Sequence, residues 1–355
     1  MLTLGSLFDG IGVFPLSAAR HGIRPIWASE IEKAPISITK RHFPDMAHLG
    51  DISLLHGGKL PPVDVITFGS PCQNLSQIGN RTGLEGEKSG LFHEAIRIIN
   101  QMKEATNGKY PTFAVWENVT GAYSSAMGLD FRAVLEAFAD RKIPMPDRNK
   151  WAPAGMVPDI SPQIAWRCLD SQHFRSAQSR RRVFLVADYR GKRAGEILFS
   201  PEPLHKILGA GTESRLPLSA GGGIGASQTG RDYAEIRCFH DRKMRGAAQY
   251  NDPKMFLSAI GKPDRPCPTL LARASQVFAV HYPNRPEDDI IRRLTLAECE
   301  VLMGLPVGWT AYGHDGKAIS DSARYKALGN SIVVGCAEYV VAGIAEALRR
   351  EALNG

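Results

Sequence analysis

One stretch constrains this chain more than any other: Val63-Asp-Val-Ile-Thr-Phe-Gly-Ser-Pro-Cys-Gln-Asn-Leu-Ser76. Val63 to Phe68 is an apolar, β-branched run, and Gly69, Ser70 and Pro71 stop it. That is the pattern of a short buried strand entering a turn. In an open α/β sheet ligands sit beyond the carboxyl ends of the strands, so this turn is where chemistry would be placed. Pro71 fixes the backbone just before Cys72, which suits a held nucleophile. Taken alone, Cys72 reads more readily as a small buried cysteine in a loop, because free cysteine is among the most buried residue types. The rest of the chain shifts that balance.

Thr3 to Phe8 reads as a first strand running into Phe8-Asp-Gly-Ile-Gly-Val-Phe14 and then a short helix ended by Gly22. A glycine-rich turn between strand and helix lets the backbone approach a ligand closely. It lacks the third glycine of the dinucleotide fingerprint. Ile23 to Ala28 reads as a second strand ending at Ser29-Glu30. An acid there is placed to accept hydrogen bonds from ribose hydroxyls, although a solvated loop glutamate fits equally well. Gly50-Asp51-Ile52 reads as the next strand-end turn. Gln73 to Ser89 is a long polar loop of the kind that closes over active sites. Ser89 caps a helix to about Glu104 whose apolar stripe is core. Thr112 to Trp116 is a buried strand ending at Glu117-Asn118-Val119, and Leu129 to Ala139 a helix. The Pro-rich stretch 144–162 reads as a loop or small insertion. Ile164 to Leu169 and Arg182 to Ala187 read as a hairpin turned by Gln178 to Arg182.

From about Tyr189 to Arg292 glycine, proline and basic residues dominate, and no long helical period is present. This predicts a separate, loop-rich, mostly β domain. Leu294 to Met303 then reads as a helix, and the chain closes on Gly329-Asn330-Ser331 and a helix to about Leu353.

The 355 residues suffice for a large catalytic domain and a smaller one. A net charge of +7 suggests an acidic partner, nucleic acid first. Six cysteines without a Cys-x-x-Cys pair show no zinc site or disulfide framework, so no metal is expected and a reducing cytoplasm fits. No apolar run is long enough to span a bilayer, and the N-terminus lacks the basic segment of a signal peptide.

Taken in order, Phe8-Asp-Gly-Ile-Gly12, Glu30, Gly50-Asp-Ile52, Gly69-Ser-Pro-Cys-Gln73, Glu117-Asn-Val119 and Gln178-Ser-Arg-Arg-Arg182 form a set. It continues through Pro268-Thr-Leu270, Arg293-Leu-Thr-x-x-Glu298, Gly304-Leu-Pro306, Trp309 and Gly329-Asn-Ser331. The set resembles the DNA (cytosine-5) methyltransferase family of bacterial or phage type, over roughly 1–190 and 290–345. Departures are Arg175-Ser-Ala177 before Gln178, and Leu296, Met303 and Leu305 where the family favours other residues.

The resemblance implies an S-adenosylmethionine-dependent, Rossmann-like α/β fold: a mostly parallel sheet with helices on both faces, beside a smaller β target-recognition domain. The domains expected are 1–188 catalytic, 189–292 target recognition and 293–355 a return to the catalytic domain. It implies methyl transfer to C5 of a cytosine flipped out of duplex DNA, leaving S-adenosylhomocysteine. Cytosine C5 is a poor nucleophile; thiolate addition at C6 gives it electron density. The resemblance makes Cys72 that nucleophile, Glu117 the carboxyl acting at N3, and Arg182 and Arg180 the holders of the base carbonyl, the carboxylate or phosphate. Donor binding is implied for Phe8, Gly10, Ile11, Gly12, Glu30, Ile31, Asp51, Ile52, Pro71, Asn330 and Ser331. DNA contact is expected of Gln73, Ser76, Gln178, Arg231, Arg242, Arg245 and Thr269, with base readers inside 189–292. A monomer without an obligate protein partner, acting on the DNA of a bacterial or phage-infected cytoplasm, completes the expectation; a companion restriction enzyme and action alone both stay open. Three other readings compete: a transfer-RNA methyltransferase of the same fold, a DNA-binding relative without turnover, and a nicotinamide dehydrogenase. The missing third glycine and the Pro-Cys-Gln turn count against the last.

Overall fold

Eight strands make the main sheet of the computed structural model, which describes residues 1–70, 90–157, 159–200, 235–238, 267, 269–270, 272, 278–281 and 292–354. They are β1 (Leu2–Leu7), β2 (Ile23–Ser29), β3 (Ala47–His48), β4 (Val65–Phe68), β5 (Phe113–Val119), β6 (Ala154–Val157), β7 (Gln163–Asp170) and β8 (Arg181–Asp188). Their order across the sheet is β3-β2-β1-β4-β5-β8-β7-β6. The pairings from β3 to β5 are parallel. Those of β5 with β8, β8 with β7 and β7 with β6 are antiparallel. Six strands therefore point one way and two, β6 and β8, the other.

The central strands are apolar on both faces, as a sheet covered on both sides requires. Val65, Phe113, Val115, Phe184 and Val186 face one core, shared with Val13 and Phe14 of α1 (Val13–Arg20). Ile197 of α5 (Ala194–Phe199) and Val340, Val341 and Ile344 of a long C-terminal helix, Val334–Asn354, belong to the same core. Ile66, Phe68, Ala114, Trp116, Val183 and Leu185 face the other, filled by α3 (Gly90–Ala105) and α4 (Leu129–Ala139). The alternation along each strand is the period of two that separates the faces. The doubly covered α/β sheet read from the sequence is the observed fold.

Among the elements that went unread are α2 (Lys33–His42), the edge strand β6 inside the supposed 144–162 loop, α5 inside the stretch expected to be mostly β, and a helix at Asp321–Asn330. In chain order the last helices are α6 (Leu296–Leu302), α7 (Asp321–Asn330) and α8 (Val334–Asn354). A capping box starts α6: Thr295 and Glu298 each accept the other's backbone N–H.

Just past residue 188, α5 packs on β7 and α8 with Ala194, Ile197 and Leu198 fully buried. Farther on, β9 (Glu235–Cys238), β10 (Phe278–His281) and β11 (Arg292–Arg293) form a separate antiparallel sheet. No single described helix is long and apolar enough to cross a membrane; the bent pair of α7 and α8 passes on length and composition. α8 packs along α1 and α5.

Candidate active site

The carboxyl ends of β1, β2, β4 and β5 lie side by side. Leu7 is in register with Ser29 and with Phe68, and Phe68 with Trp116. The turns that leave these ends carry most of the expected site residues. The glycine turn after β1 is wound left-handed at Phe8 (φ 53°), Gly10 (φ 59°) and Gly12 (φ 79°). A side chain at Gly10 would enter open space, whereas one at Gly12 would meet Thr39 Cγ2 at 3.1 Å. Gly10 thus leaves the mouth of the turn open, and Gly12 lets α2 approach its back. Ile11 is buried.

Glu30 organises the mouth. Its Oε2 accepts Gly10 N–H at 2.9 Å, and its Oε1 accepts Ile31 N–H at 2.8 Å and Glu32 N–H at 3.0 Å. Ile31 beside it is 69% exposed, an apolar side chain in need of a cover. Asp51 is exposed at the next turn, where its Oδ1 accepts the N–H and hydroxyl of Ser53; Ile52 behind it is buried. An open glycine turn, a strand-end carboxylate and an exposed aliphatic side chain match the needs of a nucleoside bearing an amino-acid tail.

Asp9 was not singled out from the sequence. It is buried under the turn, and neither carboxylate oxygen meets a donor at hydrogen-bonding geometry. Burial, reinforced by the charge of Glu30, pushes its pKa up to about 7 against the opposing pull of the Ser6 and Thr39 hydroxyls.

The other half of the site is built on β5. Glu117 is 8% exposed, and Arg182 on β8 places Nε 3.1 Å from its Oε1. Burial holds the Glu117 carboxyl above the usual carboxylate range, with Arg182 and Arg180 pulling the other way. A side chain at Gly69 would meet Glu117 Oε2 at 3.1 Å, so the strand-end turn of β4 lies against the carboxyl. Trp116 Nε1–H donates to Ser70 Oγ at 3.2 Å and Asn118 Nδ2 donates to Ser70 O at 3.4 Å. The residue before Pro71 is thereby fixed to the strand that carries Glu117. Pro71, Cys72, Gln73 and Ser76 lie outside the described residues, as do Arg231, Arg242 and Arg245.

Two expectations are corrected. Arg180 is 3% exposed, and its guanidinium donates to Leu270 O (2.7 Å), Gly329 O (3.1 Å) and Ser331 O (2.7 Å). It ties together segments almost a hundred and fifty residues apart and does not present itself to phosphate. Gln178 is fully buried: its Oε1 accepts Leu270 N–H at 2.8 Å and its Nε2 contacts Met303 Sδ at 3.6 Å. It is a fastening of the core, not a DNA contact. The sequence turn is polar, but Cys267, Thr269 and Leu270 pack over it. Cys267 bridges Gln178, and Thr269 Oγ1 donates to Ser179 O at 2.9 Å.

Asn330 ends α7 exposed, followed by the nearly buried Ser331. Trp309 closes the glycine turn from the C-terminal part of the chain: its Nε1–H donates to Ile11 O at 2.9 Å, and its indole stacks on His42 at 3.5 Å.

The chain resembles known proteins in sequence and in fold. The family description C-5 cytosine-specific DNA methylase matches residues 2–206 and 223–346. A protein of Escherichia phage P1 named DNA N-6-adenine-methyltransferase is 32% identical over 217 residues, covering 53% of this chain and 29% of that relative. Type II methyltransferase M.NgoBV of Neisseria gonorrhoeae is 27% identical over 199 residues, covering 53% and 41%. The chain thus matches less than half the length of these two relatives. Type II methyltransferase M.MspI of Moraxella sp is 25% identical over 345 residues, covering 97% of this chain and 70% of that relative. Among solved structures, S. pombe Dnmt2 methyltransferase superposes with a TM-score of 0.65 at 16% identity over 98% of this chain and 99% of its own. Entamoeba histolytica EhMeth does so with 0.61 at 13%, over 98% and 99%. At such identities the likeness is one of fold.

Proposed function

The chain belongs to the C-5 cytosine-specific DNA methylase family, and from that premise we propose that it methylates C5 of a cytosine in duplex DNA at a specific short sequence. The observation that carries this reading is the buried Glu117 carboxyl, held above its ordinary pKa, 3.1 Å from Arg182 and against the turn that leads into Pro71-Cys72.

The donor is S-adenosylmethionine. Gly10 and Gly12 admit its amino-acid end, Glu30 accepts the ribose hydroxyls, Ile31 and Ile52 flank the adenine, and Asp51 takes the adenine amino group. Phe8, Ile11 and Pro71 line the same pocket, with Asn330 and Ser331 at its rim. When bound there it supplies an electrophilic methyl group. A base inside a duplex is out of reach, so the cytosine is flipped out. Cys72 as thiolate forms an Sγ–C6 bond, and the C5=C6 electron pair moves to C5. Glu117 shares its proton with N3 and so favours this addition. Arg182 holds the carboxyl in place and reaches the base carbonyl. After C5 takes up the methyl group its proton leaves, the double bond re-forms and the thiolate is expelled. Gln73 and Ser76 contact the DNA at the polar loop, and Thr269 lies along the backbone. The recognition domain is the part of 189–292 beyond α5, with Arg231, Arg242 and Arg245 among the candidate readers. The protein works as a monomer on cytoplasmic DNA.

Incubation with methyl-labelled S-adenosylmethionine and either duplex DNA or transfer RNA tests the reading. Nucleosides from the digested product should carry the label as 5-methylcytosine from DNA. Label found solely in N6-methyladenine, or solely in RNA, overturns it. Cys72→Ser should lower transfer by about 10²-fold or more while donor binding stays intact.

A further inference from the structure

Beyond Glu117, β5 runs into two tight turns, Thr120–Tyr123 and Ser125–Gly128, before α4 begins. Ala126 and Met127 both stand in the left-handed region, at φ 48° and 57°. The turn Asp147–Asn149 just before β6 does the same at Arg148 (φ 56°) and Asn149 (φ 54°). Side chains with a Cβ rarely adopt this backbone, and such outliers persist where their surroundings over-determine them. Here the two turns fix each other. Trp151 Nε1–H donates to Gly128 O at 2.8 Å, and a side chain at Gly128 would meet Asn149 O at 2.9 Å. Tyr123 OH donates to Pro153 O at 3.4 Å.

What this rigid pair presents is distinctive. Arg148, Asn149 and Lys150 are exposed, and among the described residues neither cation has an ion-pair partner. Met127 is 73% exposed beside them. The location is the carboxyl edge of the sheet. Val119 is in register with Arg182, Asp170 with Arg181, and the first residue of β6, Ala154, with Arg167, so the chain before β6 continues toward the carboxyl end of β7. The exposed Arg181 starts β8, which lies beside β5 with its Glu117 and is separated by β7 from β6, the strand that the second turn precedes.

We propose that the paired turns 125–128 and 147–150 form a second DNA-contact rim, in which Arg148 and Lys150 hold backbone phosphates beside the flipped cytosine. The inference rests on the duplex-DNA reading above. Two unpaired cations on a pre-set backbone suit a polyanion, and phosphate contacts position a protein without reading sequence. Met127 offers an apolar side chain to the uncharged deoxyribose face. At the opposite end of α4, Arg141 and Lys142 are also exposed, but Lys142 pairs with Glu136 at 3.5 Å. They serve as the control.

The experiment measures duplex-DNA affinity against salt for the wild type, for Arg148→Ala/Lys150→Ala and for Arg141→Ala/Lys142→Ala. Each phosphate contact contributes about 0.9 to the slope of log K against log salt, so the first variant should be shallower by about 1.8. The control should keep the wild-type slope, and donor binding and melting temperature should be unchanged in both. A wild-type slope in Arg148→Ala/Lys150→Ala, or an equal loss in the control, overturns the rim. If the wild type methylates DNA and the slope does not move, the rim alone falls. A wild type that neither binds nor methylates duplex DNA overturns the functional reading and the rim together.

Discussion

At Asp9 burial and a neighbouring charge act in the same direction. Its carboxyl is raised from an ordinary 3.8 to about 7, so the folded protein keeps a proton there that the unfolded chain has already lost. The associated stability is fully present below about pH 4, falls as pH rises, and is gone above about pH 7. Asp9→Asn has no charge to bury. In urea unfolding without donor, its stability relative to wild type should rise by roughly 2–3 kcal/mol between pH 5 and pH 8. Parallel pH curves would refute this. Arg180 makes the opposite case, a charge that burial has satisfied. Replacing it by Ala strands three backbone carbonyls and should cost about 3 kcal/mol or more. Arg180→Lys keeps the charge but loses the planar fork, so it should still melt several degrees below wild type. Arg182→Lys, at the more open end of the pair with Glu117, should melt within about 2 °C of wild type, because it ties no distant segments together, and on the proposed reading it should lower turnover instead. Equal melting losses would remove the distinction. In sequence the two arginines, with Arg181 between them, stand in one polar stretch and look alike. Their fates diverge because the distant 267–270 and 329–331 segments fold over one of them, and no local pattern announces that.

Elements were legible where their hydrophobic pattern was strong. The strands at Val65–Phe68 and Phe113–Val119 are apolar on both faces, and α3 carries a clear stripe. The missed elements lack such signals. β6 is four residues long, partly exposed, and bounded by prolines at 153 and 158. Pro35 disguises α2, although proline is well tolerated in a first helical turn. α7 buries only Ala327, Leu328 and Gly329 and so has no period to read. The clasp around Trp309 is likewise tertiary. The Glu300 carboxylate on α6, fully buried, accepts Gly308 N–H at 2.6 Å, Thr310 N–H at 2.8 Å and the Thr310 hydroxyl, and faces Arg324 at 3.3 Å. It shapes the turn that sends Trp309 to Ile11 O, and so supports the glycine turn from outside. Glu300→Gln removes the charge that Arg324 faces and one strong acceptor. It should lower stability by roughly 2–4 kcal/mol and weaken S-adenosylmethionine binding several-fold, read by unfolding and by titration calorimetry. A loss below about 1 kcal/mol with unchanged donor affinity would show that the clasp is incidental.

On the scale of the molecule, α5 follows β8 onto the main sheet, and α6 and α8 join the same core. The catalytic edge needs nothing that differs between target sequences, since a flipped cytosine is the same in every site. Under the reading proposed above, discrimination belongs to the segment between α5 and α6, and exchanging it for that of a relative with another target should move specificity with it. Where to cut is a structural question. Composition changes at 189, but α5 at 194–199 belongs physically to the sheet. Arg193 pairs with the fully buried Asp188 at 2.8 Å, Tyr339 OH donates to Leu198 O at 2.8 Å, and Ile197 lies against Gly343. A foreign α5 must meet β7 and α8 with side chains not selected for them, and mismatched packing costs about 1–3 kcal/mol. An exchange of 201–292 should therefore melt close to wild type, while an exchange of 189–292 should melt several degrees lower. On that reading both chimeras should methylate the relative's target, because 201–292 is common to the two exchanges. Equal melting temperatures would place α5 with the insert. An active chimera that still methylates the original site would return sequence recognition to the catalytic domain.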